Sequence, residues 1–288
     1  MSNNTNESII ENGGVMGLLD GKKALVCGVT NKNSIGWGIA KALHAHGAQL
    51  GFTCVESNVR RLKRLVPEVD SDIVIPCDIL KDEDIASAVG NLQNVFQGRL
   101  DVLIHTIAYS NISDLGSEFI QVSRSGWNLA LEASAYSLVA LSRAFRPMMM
   151  ASGCGGSIIT LTFVGGRNVV PGYNIMGIAK SALNMSVKYL AYDLGPDRIR
   201  VNAISAGPIT TFSSMAVENF DTALQLIKSH SPLLRNISQE DLGGTAVYLA
   251  SGLSKGVTGE IIFVDSGIHI LAPPADAHRR SFLKESDS

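Results

Sequence analysis

The chain has 288 residues, 45% of them hydrophobic and 17% charged, with a formal net charge of −2. That length and apolar content supply a full core and fit one large α/β unit better than two small ones, while the near-neutral charge excludes the basic footprint of a nucleic-acid binder. No apolar run reaches the roughly eighteen residues a membrane span requires, and the four cysteines, Cys27, Cys54, Cys77 and Cys154, show no metal-ligand spacing.

Three of these cysteines fall at or near the ends of predicted strands and read as small buried hydrophobes in a reducing compartment, which predicts a cytoplasmic protein without a metal site. Residues 1–15 are polar and acidic and lack the basic start and apolar centre of a signal peptide. They read as a flexible tail, with Met16 an alternative start. Residues 272–288 read as a second polar tail, which leaves residues 16–271 as a single domain.

Ala24–Val29 is a continuous apolar run, as a buried parallel strand should be. Gly28, five intervening residues, then Ser34, Ile35, Gly36 and Gly38 lead into a helix reaching about His46. A strand, a glycine-bearing loop and a helix N-terminus make an anion site, because bare N–H groups and the helix dipole face one point. The spacing is not GxGxxG, so the usual dinucleotide fingerprint is not met. Gln49–Cys54 is the second strand, and Glu56 near its end is placed either to bond an adenosine ribose or to cap the next helix. Arg60 and Arg61 would accept a 2′-phosphate if turned inward; read as an exposed face, they favour NADH over NADPH.

Asp72–Pro76 is the third strand, with Asp78 and Ile79 at its carboxyl end. Asp78 suits either the adenine amino group or a cap for the helix opening near Lys81. Asp101–Ala108 is the fourth strand, and His105 within it reads as a core histidine. Ser117–Met150 has helical periodicity with a predicted break near Ser123–Gly126. Ser157–Phe163 is strand five. A helix then begins near Tyr173 and stops at Gly195-Pro196.

Lys180 follows Tyr173 by seven residues, which puts both on one helical face, roughly 10 Å apart along the axis. The phenol can donate to an oxygen gaining negative charge. The ammonium can bond sugar hydroxyls and favour phenolate character in Tyr173. Taken alone, the pair reads rather as a core plug and a solvated charge; the rest of the chain reverses that reading.

Arg200–Ser205 is strand six, Phe212–Asp221 a candidate substrate lid, Asp241–Leu253 a helix and Glu260–Val264 the last strand. Strands alternate with helices, with no internal repeat, which predicts an α/β, doubly wound, Rossmann-type parallel sheet of seven strands.

Several pieces occur in one order: Gly28-x5-Ser34-Ile35, Cys77-Asp78, HTIAYS at 105–110, Tyr173-x6-Lys180, KYLAYDLG at 188–195, RVNAISAGPI at 200–209 and VTGEIIFVDSG at 257–267. In these the chain closely resembles the bacterial enoyl-[acyl-carrier-protein] reductases, the divergent branch of the short-chain dehydrogenase/reductases, from about Gly17 to Leu271. The six-residue gap between Tyr173 and Lys180 is the specific mark, since ordinary members have three, and here the residue four before Lys180 is Met176. That absence speaks against an alcohol or ketone dehydrogenase.

The resemblance implies an NADH-dependent homotetramer acting on enoyl-acyl carrier protein in fatty-acid elongation. It implies that Gly28, Ser34 and Ile35 line the pyrophosphate and ribose, that Val55 lies near adenosine, and that Asp78 and Ile79 hold adenine. Ile107 and Lys180 then meet the nicotinamide ribose, and Ile209 and Thr211 the carboxamide and phosphate. Tyr173 and Lys180 are the implied catalytic residues, while Tyr109, Ser110, Phe163 and Phe220 border the substrate. The family's usual second tyrosine, ten residues before the catalytic one, is here Phe163. The missing hydroxyl is worth about 0.5–1.5 kcal/mol, up to about tenfold in rate. It motivates one rival, a paralogue reducing a specialised carrier-bound enoyl chain of the polyketide type; a second, from another class, is a non-catalytic nucleotide-binding protein on the same fold, against which the presence of both Tyr173 and Lys180 speaks.

Overall fold

The computed structural model describes residues 17–116, 118–211 and 220–271. Seven parallel strands form one sheet in the order β3-β2-β1-β4-β5-β6-β7: β1 Lys23–Cys27, β2 Gln49–Cys54, β3 Val74–Pro76, β4 Val102–His105, β5 Gly156–Thr162, β6 Ile199–Ala206 and β7 Ile261–Val264. The helices are α1 Ile35–Ala45, α2 Glu56–Leu62, α3 Asp82–Val95, α4 Arg124–Leu131, α5 Ser137–Met150, α6 Asn174–Leu194, α7 Phe220–His230 and α8 Gln239–Ala250. Among the described residues, none is long and apolar enough to cross a membrane.

The strands read as unbroken apolar runs because both faces of the sheet are covered. In β1, Ala24 and Val26 join a core with residues of α1 and α8, while Leu25 and Cys27 face the opposite core, with residues of α3, α5 and α6. The period of two along a strand therefore deals alternate residues to two cores. A third, smaller cluster of Ala130, Ile175, Met176 and Ala179 joins α4 to α6 near the carboxyl edge of the sheet, and Tyr173 packs on it.

The strand order reverses direction between β1 and β4, and ligands of such sheets bind outside the carboxyl ends at that point. There Gly28 adopts φ +96°, and a Cβ on it would lie 2.7 Å from the Thr106 carbonyl oxygen and 2.9 Å from Ile107 Cγ1. Glycine alone permits both the left-handed backbone and the contact.

The predicted boundaries shift in identifiable ways. β4 ends at His105, three residues early. Thr106 then bonds the Cys27 carbonyl through both its N–H (3.0 Å) and its hydroxyl (2.6 Å), and the chain leaves the sheet over Gly28. Ser123–Gly126 is a helix start, not a break: the Ser123 hydroxyl caps α4 by accepting from the Gly126 N–H at 2.9 Å. The departure from α geometry comes later, as one π turn over Glu132–Tyr136. Helix α7 was not anticipated. The predicted lid overlaps it only at Phe220 and Asp221; residues 212–219 lie outside the described residues.

Candidate active site

The loop after β1 is closed by its own polar groups. Ser34 Oγ accepts from the N–H groups of Thr30 and Asn31, each at 3.2 Å, and lies 3.1 Å from Thr30 Oγ1. Ser34 and Ile35 thereby stand at the mouth of α1, whose first turn carries no acidic side chain. The leading N–H groups of a helix have no intrahelical acceptor, so this mouth favours an anion. At the far edge, Val55 and Asp78 line an open cleft of about 440 Å³. Val55 is the N-cap residue of α2, and 40% of its surface is exposed.

Asp78 caps neither neighbouring helix. Its Oδ1 accepts from the Leu80 N–H at 3.1 Å and its Oδ2 lies 3.9 Å from Lys81 Nζ, while Lys81 is the N-cap residue of α3. Ile79 and Ile107 pack on the second core. Ile209 lines a cleft of about 240 Å³ with Asn33, Pro208, Thr210, Ile237 and Gln239. Thr211 closes the described part of that segment. Arg60 and Arg61 are exposed on α2.

Tyr173 stands just before α6, at its N-cap position with φ −103° and ψ −17°. Asn174 follows at φ +28°, in the left-handed region that asparagine tolerates better than most residues. The Phe163 ring meets the Tyr173 ring edge-on, with centroids 5.0 Å apart. Phe163 lies one residue beyond β5, at the start of a short turn whose glycines press on α6. A Cβ on Gly165 would lie 2.6 Å from Tyr173 Cδ1, and one on Gly166 would lie 2.8 Å from both Cβ and the carbonyl carbon of Lys180. The Ser181 hydroxyl donates to the Gly166 carbonyl at 2.7 Å, and Thr162 Oγ1 donates to Asn184 Oδ1 at 2.7 Å. The turn and α6 thus form one rigid unit.

Lys180 is 5% exposed and its Nζ donates to the Leu161 carbonyl at 2.8 Å. Burial pulls its pKa down to about 8. Burial also drives the Tyr173 phenol upward. This corrects the expectation that the ammonium would favour phenolate: desolvation dominates, and the phenol stays a protonated donor.

Behind this pair, His105 is fully buried. Its Nδ1 lies 2.8 Å from Thr160 Oγ1 and its Nε2 lies 2.9 Å from Ser137 Oγ. Ser137 donates its own hydrogen to the Ala133 carbonyl at 2.7 Å, which makes Nε2–H the donor and Nδ1 the acceptor. Burial first, then the nearby Lys180 charge, hold the imidazole's pKa down at about 3, so it is a neutral core histidine, as read from the sequence.

The substrate-side segment begins at Tyr109, 59% exposed, and Ser110. The Tyr109 N–H donates to Ser134 Oγ at 3.0 Å. The described part of Phe220 is its backbone place at the head of α7. Sequence reasoning missed Ser134, inside the π turn, and Ser137, directly after it; two serines three apart in an apolar helical run were the only signal. It also missed the role of Thr106, although HTIAYS contains it, and missed Asn184 and Gln239, which carry no motif.

Set beside known proteins, residues 28–269 match the family model described as Enoyl-(Acyl carrier protein) reductase. The chain is 47% identical over 260 residues to the enoyl-[acyl-carrier-protein] reductase [NADH] FabI of Bacillus cereus, covering 89% of this chain and 100% of that one. The crystal structure of the Bacillus cereus reductase with NADP+ and indole naphthyridinone superposes with a TM-score of 0.86 at 46% identity, over 89% of this chain and 100% of the other. The reductase of Anaplasma phagocytophilum in complex with NAD is similar at TM-score 0.85 and 39% identity, over 90% of this chain and 97% of the other.

Proposed function

The chain belongs to the enoyl-(acyl carrier protein) reductase family, and from that premise we propose that it reduces the trans-2 double bond of an enoyl thioester on acyl carrier protein, using NADH, as the last step of the fatty-acid elongation cycle. The observation that carries this reading is the Tyr173 phenol at the N-cap of α6 and the buried Lys180 ammonium seven residues on, in a sheet whose switch point carries the Gly28 cradle.

The residues fit a nicotinamide dinucleotide. A Cβ would fill the space beside Gly28, the α1 mouth lacks acidic side chains, and Lys180 spends one of its three donors on Leu161. Gly28, Ser34 and Ile35 would hold the pyrophosphate, Val55, Asp78 and Ile79 the adenosine, and Ile107, Lys180, Ile209 and Thr211 the nicotinamide half. When bound, the dinucleotide provides the hydride that reaches C3 of the enoyl chain. Tyr173 donates a hydrogen bond to the thioester oxygen as it becomes an enolate, where stabilisation lowers the barrier most. A phenol kept protonated by burial suits that task. The enolate then takes a proton at C2. The Phe163 ring packs against Tyr173 without offering a second hydroxyl, and Tyr109 and Ser110 border the chain.

A homotetramer is part of the proposal. Ile178, Met185, Tyr189 and Tyr192 recur at helical spacing on α6 and are 37%, 51%, 68% and 83% exposed, a stripe that suits a second copy. Four free thiols, three of them buried, fit a cytoplasmic setting.

The test is to follow nicotinamide absorbance with crotonyl, octenoyl and branched enoyl carrier thioesters, each with NADH and NADPH. NADH oxidation with enoyl but not 3-ketoacyl thioesters is expected. Tight NADH binding without turnover on any enoyl thioester would favour the non-catalytic reading.

A further inference from the structure

Residues 30–34 form the loop that would hold the pyrophosphate, and most of their bonds are internal. Besides the two N–H groups on Ser34 Oγ, the Asn33 N–H donates to Asn31 Oδ1 at 2.8 Å and the Ser34 N–H to the Asn31 carbonyl at 3.0 Å. Such a loop is self-closed, and the Ser34 carbonyl joins it to α1 by accepting from the Trp37 and Gly38 N–H groups at 3.0 and 3.3 Å. Among the described residues, its hydrogen bonds to a distant part of the chain come from one side chain. Gln239 Nε2 donates to the Ser34 carbonyl at 2.9 Å and to the Lys32 carbonyl at 3.1 Å, across more than 200 residues of sequence.

Gln239 is itself held rigidly. It is the first residue of α8, directly after Ser238, whose hydroxyl and backbone N–H share a reciprocal capping box with Asp241. Arg235 grips the same Asp241 carboxylate at 2.6 and 2.8 Å. On the other side, a Cβ on Gly38 would lie 2.4 Å from Gln239 Cβ, so α1 and α8 approach this closely only because Gly38 has no side chain. Gln239 also shares a cleft with Asn33, Ile209 and Thr210. One amide therefore stands between the two chain segments assigned to the dinucleotide phosphates.

We propose that Gln239 is a positioning residue for the dinucleotide: its side-chain amide holds the Lys32 and Ser34 carbonyls against α8 and so fixes the 30–34 loop in the shape that receives the pyrophosphate. Carbonyl oxygens repel an anion; the amide occupies the Lys32 carbonyl and shares the Ser34 carbonyl with the Trp37 and Gly38 N–H groups of α1. The inference rests on the dinucleotide reading of the site.

The experiment compares Gln239→Leu, which removes both donated bonds at similar volume, and Gln239→Glu, which sets a carboxylate against two carbonyls. NADH and ADP-ribose dissociation constants, competition by adenosine, and steady-state kinetics are measured on the full chain. Losing two neutral hydrogen bonds predicts NADH and ADP-ribose binding weaker by about fivefold to tenfold in Gln239→Leu, and by more in Gln239→Glu. Adenosine, which reaches only the Val55 and Asp78 end, should compete as before. The KM for NADH should rise while kcat at saturating NADH stays within about twofold. Gly38→Ala, which pushes Gln239 off the loop without altering its chemistry, should weaken NADH in the same direction.

NADH affinity unchanged in Gln239→Leu and Gln239→Glu would overturn the proposal, as would equal losses for adenosine and ADP-ribose, which would mark a general loss of structure. A wild-type chain that binds no nicotinamide dinucleotide would instead remove the reading beneath it.

Discussion

Tyr173 and Lys180 are proposed to divide one task between chemistry and grip, and two substitutions separate the parts. Tyr173→Phe should lower kcat by about a hundredfold, the scale of a lost oxyanion donor, while the NADH dissociation constant stays within about twofold. Lys180→Met should raise that constant by at least about tenfold, since a buried charged donor is lost; fluorescence titration reads both. Burial sets Lys180's pKa at about 8 against its ordinary 10.5, so its charge fades as pH rises through about 8. NADH affinity should accordingly weaken above that pH in the wild type, with no such step in Lys180→Met.

His105 makes the opposite acid-side prediction. Its folded pKa is about 3 and its ordinary value 6.5. Between those values the unfolded chain binds a proton that the folded chain refuses, so stability falls as pH drops below about 6.5. The loss should reach a few kcal/mol near the lower value. Urea unfolding across acidic pH should show this limb flattened in His105→Gln; an unchanged limb would assign the acid sensitivity to other groups.

At the scale of elements, the site depends on a short turn pressed against a helix. Gly166 lies over Lys180's backbone and Cβ, neither of which can swing away as the end of a flexible side chain would. Gly166→Ala should destabilise the protein by about 1–3 kcal/mol, seen as a lower melting temperature together with weaker NADH binding. The turn was visible in the sequence only as glycines between a strand and a helix. Nothing in the order of residues says that they face α6. The π turn at Glu132–Tyr136 was likewise hidden, because a single inserted residue leaves the apolar periodicity of a long helix almost intact. Its effect is local and specific: Ser134 reaches Tyr109, and Ser137 reaches His105.

For the whole molecule, the sheet sets the geometry and exposed apolar surface suggests assembly. Tyr189 and Tyr192 are large, exposed and on the same face of α6 as Met185. Wild-type protein should run as a tetramer in light scattering coupled to gel filtration. Met185→Glu with Tyr189→Glu should shift it to a smaller species. A wild-type monomer would contradict the proposed tetramer.

Strand and helix alternation, the parallel sheet and its Rossmann-type winding followed from the sequence alone, because a strand buried on both faces must be apolar along its length, as Leu25 to Cys27 and Val102 to Ile104 are. The helix that carries Lys180 was equally legible, but Tyr173 stands at its N-cap and not within it, where helical periodicity no longer fixes the face its side chain takes. Tertiary structure alone decided what the phenol and ammonium experience. Whether Lys180 tunes Tyr173 or burial overrides it depends on water excluded by residues far away in the chain, and desolvation has no signature in local sequence. The same holds for Gln239, whose tie to the 30–34 loop arises only where packing brings α8 against α1.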